Sequence, residues 1–204
     1  MGTRNLICAI IDNQLKLAQY GQWDGYPTGQ GQVVVEFILS IKDDIDKYNK
    51  FIINLKNCMF LSDENIMKTY EEFGVSKDQQ FIGMDISKRH KSKYPELSRD
   101  TGSGIFDIIL YQSVQLRNSI DFAADSLFCE WCYVIDFDNK ILEIYKGFNK
   151  NELSKEERFY NLSECENNQG YKQVKLYKKI SFDNLIIDTM YSIEKELSKE
   201  EEEE

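Results

Sequence analysis

This chain is sparsely punctuated. It has eleven glycines and two prolines, and four of the glycines fall with Pro27 inside residues 21–31. Gly and Pro interrupt regular backbone more effectively than any other residues, so a chain this poor in them must run mostly through helices and strands joined by short connections. The punctuated segment follows a β-rich N-terminus. Residues 6–11 are strand-like, Asp12-Asn13 is a turn pair, and residues 15–20 resume with alternating character, which predicts a β-hairpin.

After the loop, apolar residues recur at Val35, Ile38, Ile41, Ile45, Tyr48, Ile52 and Leu55. That spacing predicts one or two amphipathic helices from residue 32 to about 58, broken near 42–44. Ser62 reads as the N-cap of a helix that Gly74 stops. Residues 85–101 are polar and read as loop or short helix around Pro95, and residues 104–116 show a helical apolar face. A second hairpin is expected where residues 128–137 and 141–148 flank Asp138-Asn139-Lys140. Residues 149–170 read as an exposed loop, 174–180 as a last strand and 182–197 as a last helix. Two hairpins separated by helices define an α+β class, a single domain over 1–197 with a mainly antiparallel sheet.

Charge narrows the partners. There are 25 basic and 35 acidic side chains, a net −10, and residues 194–204 hold seven Glu and two Lys, or −5 of it. Residues 198–204 are therefore expected to be a disordered acidic tail. A mildly acidic body disfavours broad nucleic-acid binding, which runs on Lys and Arg neutralising phosphates, and disfavours docking on an anionic membrane. No apolar run is long enough to span a bilayer. Five irregularly spaced cysteines argue against a disulfide framework, so a cytoplasmic location is expected.

Most motif wordings reduce to structure. Cys129 and Cys132 stand three apart on a predicted strand, where they point to opposite faces and cannot share a metal. Asp100-Thr101-Gly102-Ser103 resembles an aspartic-protease loop in wording, but that chemistry needs two carboxylates sharing a proton, and one copy exists. N-capping of the next helix by Asp100, Thr101 or Ser103 is the expected role. His90 is the sole histidine and lies in the only basic cluster, residues 88–93, expected to be mainly a solvated face. No metal site and no cofactor are expected.

The punctuated loop is different. Gln22, Trp23, Asp24 and Tyr26 combine two aromatic faces, a carboxylate and an amide, while Gly29 and Gly31 let backbone N–H groups approach a ligand closely. Arg99 beside Gly102 and Gly104 is a local candidate for holding an anion.

These residues also carry a resemblance. Met1-Gly2-Thr3-Arg4-Asn5-Leu6, then residues 18–27 and 29–31, then residues 94–102, and then Cys129-Glu130-Trp131, resemble a family of small, largely uncharacterised bacterial and phage proteins. The likeness covers residues 1 to about 148 and implies no activity. At the level of fold, the chain also resembles N-terminal-nucleophile hydrolases, which begin on a β-hairpin and imply a four-layer αββα sandwich. Gly2-Thr3 looks like the junction where proteasome-type subunits cleave themselves, implying Thr3 as a catalytic nucleophile. Gln19 and Val35 stand where those enzymes place an acid and a lysine.

The expected function is a cytosolic binding protein of phage or mobile-element origin. Its loop at 21–31 would take a small polar, anionic or nucleotide-like ligand, or a protein partner. The alternatives are an amide hydrolase using Thr3 and a structural interaction module with no ligand.

Overall fold

The computed structural model describes residues 2–76, 79, 82–163 and 169–203. Strands β1 (Asn5–Ile11) and β2 (Gln14–Gly21) form the first hairpin. Its turn, Asp12-Asn13, has φ of 53° and 56°, the left-handed pair that matches the twist of a tight hairpin. Helices α1 (Gln32–Lys42) and α2 (Ile45–Asn57) follow, and the break between them is capped by the Asp44 carboxylate accepting from the Lys47 N–H. Next come β3 (Met59–Leu61), α3 (Asp63–Glu71), α4 (Met84–Lys93), α5 (Ile105–Tyr111) and β4 (Gln115–Arg117). Ser62 caps α3, and Gly74, at φ 83°, ends the turn after it. Strands β5 (Trp131–Asp136), β6 (Ile141–Lys146) and β7 (Lys175–Ser181) precede α6 (Thr189–Glu203).

The main sheet has the order β2-β1-β5-β6-β7. Every neighbouring pair is antiparallel except β1–β5. Those two strands lie at the centre and are buried along their whole length, which is why their sequences are near-continuous apolar runs rather than alternations. On one face, Ile7, Ala9, Tyr133, Ile135 and Ile144 meet α1, α2, α5 and α6, with Phe37 stacked on Phe106 at 4.3 Å. On the other, Leu6, Cys8, Cys132, Val134 and Tyr145 are covered by irregular segments that supply Ala123, Leu153 and Phe159. The result is a single compact α+β domain.

Several expectations are corrected. Residues 84–93, within the stretch read as loop or short helix, form the ten-residue α4, because Lys, Arg and Met are strong helix formers even without an apolar stripe. The helical face expected to reach Leu116 stops at Tyr111, and Leu116 sits instead in β4, paired in parallel with β3. Segment 149–163 is not simply exposed, since Leu153 and Phe159 are buried in the second core. The last helix begins at Thr189 rather than 182, because Phe182–Asn184 forms a separate 3-10 turn. Residues 198–203 continue α6 in place of an unstructured tail, as Glu and Lys extend a helix already anchored by Met190, Ile193 and Leu197. Glu204 lies outside the described residues. Among the described residues the one further sheet is the two-stranded β3–β4 pair.

Truncation after Leu197 tests how little the last turns of α6 matter. The three apolar anchors remain, so the melting temperature is expected to move by no more than about 2 °C in a thermal scan.

Candidate functional site

The glycines of the loop serve its own closure. Gly25 N–H donates to the Thr3 carbonyl at 2.9 Å, Gln30 N–H to the Asp24 carbonyl at 2.7 Å, and the buried Tyr133 hydroxyl to the Gly25 carbonyl at 2.8 Å. A Cβ on Gly31 would lie 2.8 Å from the Tyr133 hydroxyl, and one on Gly29 would run into the Asp24 carbonyl oxygen. Asp24 takes a left-handed φ of 53° and is exposed, as is Tyr26. Thr3 is half-buried under this loop, and the Gly2 backbone lies against the Trp23 ring.

The front of the loop is tied elsewhere. Gln22 N–H donates to the Arg99 carbonyl at 3.2 Å, and its side-chain oxygen accepts from the Tyr20 hydroxyl at 2.8 Å. The Trp23 indole N–H donates to Asp100 Oδ1 at 3.2 Å, leaving the side chain 51% exposed. Two stretches far apart in sequence, 22–23 and 99–100, are thereby held edge to edge. Asp100 and Thr101 are accordingly not helix caps, because Thr101 Oγ1 donates to the Pro95 carbonyl and Ser103 N–H to the Gln30 side chain.

A cleft of about 570 Å³ opens at this seam, between Trp23, Arg99 and Asp100 on one side and Tyr70, Lys88 and Lys91 on the other. A second, of about 340 Å³, shares Tyr70 and Arg99 and continues toward Gln19, Tyr20, Arg117 and Ser119. Both volumes fall in the range of small-ligand sites. Of the residues expected from sequence, Trp23 and Arg99 line the clefts. Gln22 acts behind them, and Thr3, Asp24, Tyr26, Gly29 and Gly31 line neither.

The clefts are electropositive. Among the described residues, neither Arg99 nor Arg117 pairs its guanidinium with a carboxylate. Burial raises the Tyr20 phenol, and the charges of Arg4 and Arg99 oppose that rise. His90 closes the back: it is buried, stacked on Tyr70 at 3.7 Å between ring centres, with Nε2 2.7 Å from Thr69 Oγ1. Burial and the Arg117 charge depress its imidazole, with Glu72 opposing. The rest of the basic cluster is divided, with Arg89 lying over Phe73 and Lys93 paired with Glu72.

Arg117 and Tyr70 carry no linear signal, because they join the cleft only through β4 and α3, whereas Gln19 and Tyr20 stand at the end of β2, directly before the loop. Cys129 and Cys132 are buried free thiols, both pushed upward by burial. Among the described residues no group of three or more His, Cys, Asp and Glu is arranged to hold a metal ion, and no helix is long and apolar enough to cross a membrane. No protein-family model, no curated protein and no solved structure matches this chain.

Proposed function

We propose that this chain is a cytosolic binding module, related to the bacterial and phage family it resembles, that takes a small phosphate-bearing ligand in the paired clefts. The supporting observation is that Arg99 and Arg117 line adjoining clefts without a carboxylate partner among the described residues. A bound oxyanion would supply the charge that both guanidiniums lack while matching their planar donor forks. Ser119 adds a hydroxyl donor in the smaller cleft, and among the described residues no carboxylate lines it. The acidic body does not oppose this, because the site is local and the screening distance is only about 8–10 Å at ordinary salt.

Inorganic pyrophosphate is a suitable first probe, read by titration calorimetry and thermal shift. Binding should weaken as salt rises. Arg99→Ala and Arg117→Ala should each weaken it about tenfold, the cost of one charge-assisted contact, without lowering the melting temperature of the free protein. Unchanged pyrophosphate affinity in both variants, or no binding by the native chain, would sink the reading.

A further inference from the structure

The two clefts are chemically unlike each other, and this gives a ligand seated across them a direction. The smaller holds Arg99 and Arg117 with the Ser119 hydroxyl, while the larger holds the Trp23 indole and the Asp100 carboxylate beside Lys88 and Lys91. A phosphate in the first meets two guanidiniums and, among the described residues, no carboxylate, whereas in the second Asp100 offsets the charge of Lys88 and Lys91 beside the indole. The second instead suits a flat ring. Trp23 is held by its N–H bond to Asp100 and by its contact with Gly2 yet stays half-exposed, so stacking on it costs little additional ordering.

Resting on the phosphate reading above, we propose that the ligand is a guanine nucleotide, with its base on Trp23 and its N1–H and N2–H edge on Asp100. A carboxylate is acceptor-only and offers about four lone-pair sites, of which the indole N–H occupies one at Oδ1. It therefore selects a base edge made of adjacent donors. Guanine alone among the common bases presents two neighbouring N–H donors on its pairing edge. Adenine presents a donor beside an acceptor, and that acceptor faces the carboxylate unfavourably. Arg99, common to both clefts, lies between the base and phosphate ends.

The test is calorimetric titration of the full chain with GMP, AMP and ribose 5-phosphate. GMP should bind about tenfold more tightly than AMP, and ribose 5-phosphate more weakly than GMP. Asp100→Asn keeps an acceptor for the indole but puts a donor against the base, so it should erase the preference for GMP over AMP without weakening ribose 5-phosphate binding. Trp23→Phe should weaken both nucleotides and spare ribose 5-phosphate, and GMP should quench Trp23 emission in the native chain. Equal affinity for all three probes, unmoved by Asp100→Asn, overturns the guanine assignment and leaves the phosphate reading standing. If none of the three binds while pyrophosphate does, the guanine assignment falls alone; if pyrophosphate also fails, the phosphate reading falls with it.

Discussion

Arg158→Ala should lower the unfolding free energy by about 3–5 kcal/mol, with a fall in melting temperature on the order of 10 °C. The guanidinium bridges two carboxylates from different positions of the sheet, with Nε 2.6 Å from Glu143 Oε2 and Nη2 3.0 Å from Asp136 Oδ2. Those carboxylate side chains are only 4% and 7% exposed. Glu143 also receives the Tyr145 hydroxyl at 2.8 Å and Lys179 at 2.9 Å, whereas Asp136 has Asn139 as its other partner. Removing Arg158 strands charge that the interior cannot solvate. It also releases segment 149–163, whose Phe159 packs on Tyr145 at 4.7 Å to cover the second face of the sheet. Arg158→Lys keeps the charge but not the fork, so its loss should be intermediate.

The pH dependence provides an independent check on this account. Burial pushes both carboxyls up, but hydrogen bonds from Asn139 and Arg158 more than reverse this for Asp136, and Arg158, Lys179 and Tyr145 do so for Glu143. Both end below their ordinary values. A carboxylate depressed in the folded state contributes stability that is fully present above its unfolded value, about 4, and lost as pH falls through the folded one. Without Arg158 this depression shrinks, with Asn139, Lys179 and Tyr145 left to oppose burial, so the variant loses less stability on acidification. The stability gap between native and variant chains should therefore be widest near neutral pH and narrow on acidification through about pH 5 to 3. Urea unfolding at several pH values measures it, and a gap constant with pH would mean that Arg158 acts by packing alone.

Where sequence and fold agree, a local physical signal exists. Asp12-Asn13 and Asp138-Asn139-Lys140 are read as turns because these side chains tolerate left-handed backbone, and Asp12, Asn13 and Lys140 adopt it. The α1–α2 break is legible because Asp44 can cap the second helix. Loop and short helix stay open at α4 because it buries only His90 and so shows no apolar period. β3 and β4 were missed because each is three residues long and pairs across more than fifty positions. The candidate site divides on the same line. Trp23 and Arg99 stand out as residue types beside glycines, whereas Arg117 and Tyr70 acquire their meaning from elements that sequence does not align. The loop glycines were legible as close-approach positions, but sequence does not say what approaches them.

Gly29→Ala answers that question directly, and it should cost about 2–3 kcal/mol of stability whether or not a ligand is present. The added methyl would meet the Asp24 carbonyl oxygen, a backbone atom with little freedom to retreat, since it accepts from Gln30 N–H at 2.7 Å. Moving it breaks the hydrogen bond that closes the loop ahead of α1. The disturbance then reaches Gly31, which lies against Tyr133, a fully buried residue at the centre of the sheet. Trp23→Ala is the counterpart: half-exposed and outside the core, it should leave thermal stability nearly unchanged while weakening nucleotide binding. Thermal denaturation with and without GMP separates the two roles. If Gly29→Ala melts like the native chain but no longer binds, the backbone at Gly29 serves the ligand, and the division between a structural loop base and a ligand-facing Trp23 is wrong. If it melts early with and without ligand, the glycines of 25–31 are there to let the loop close on β1 and β5, and that closure is what holds Trp23 against Asp100 at the mouth of the cleft.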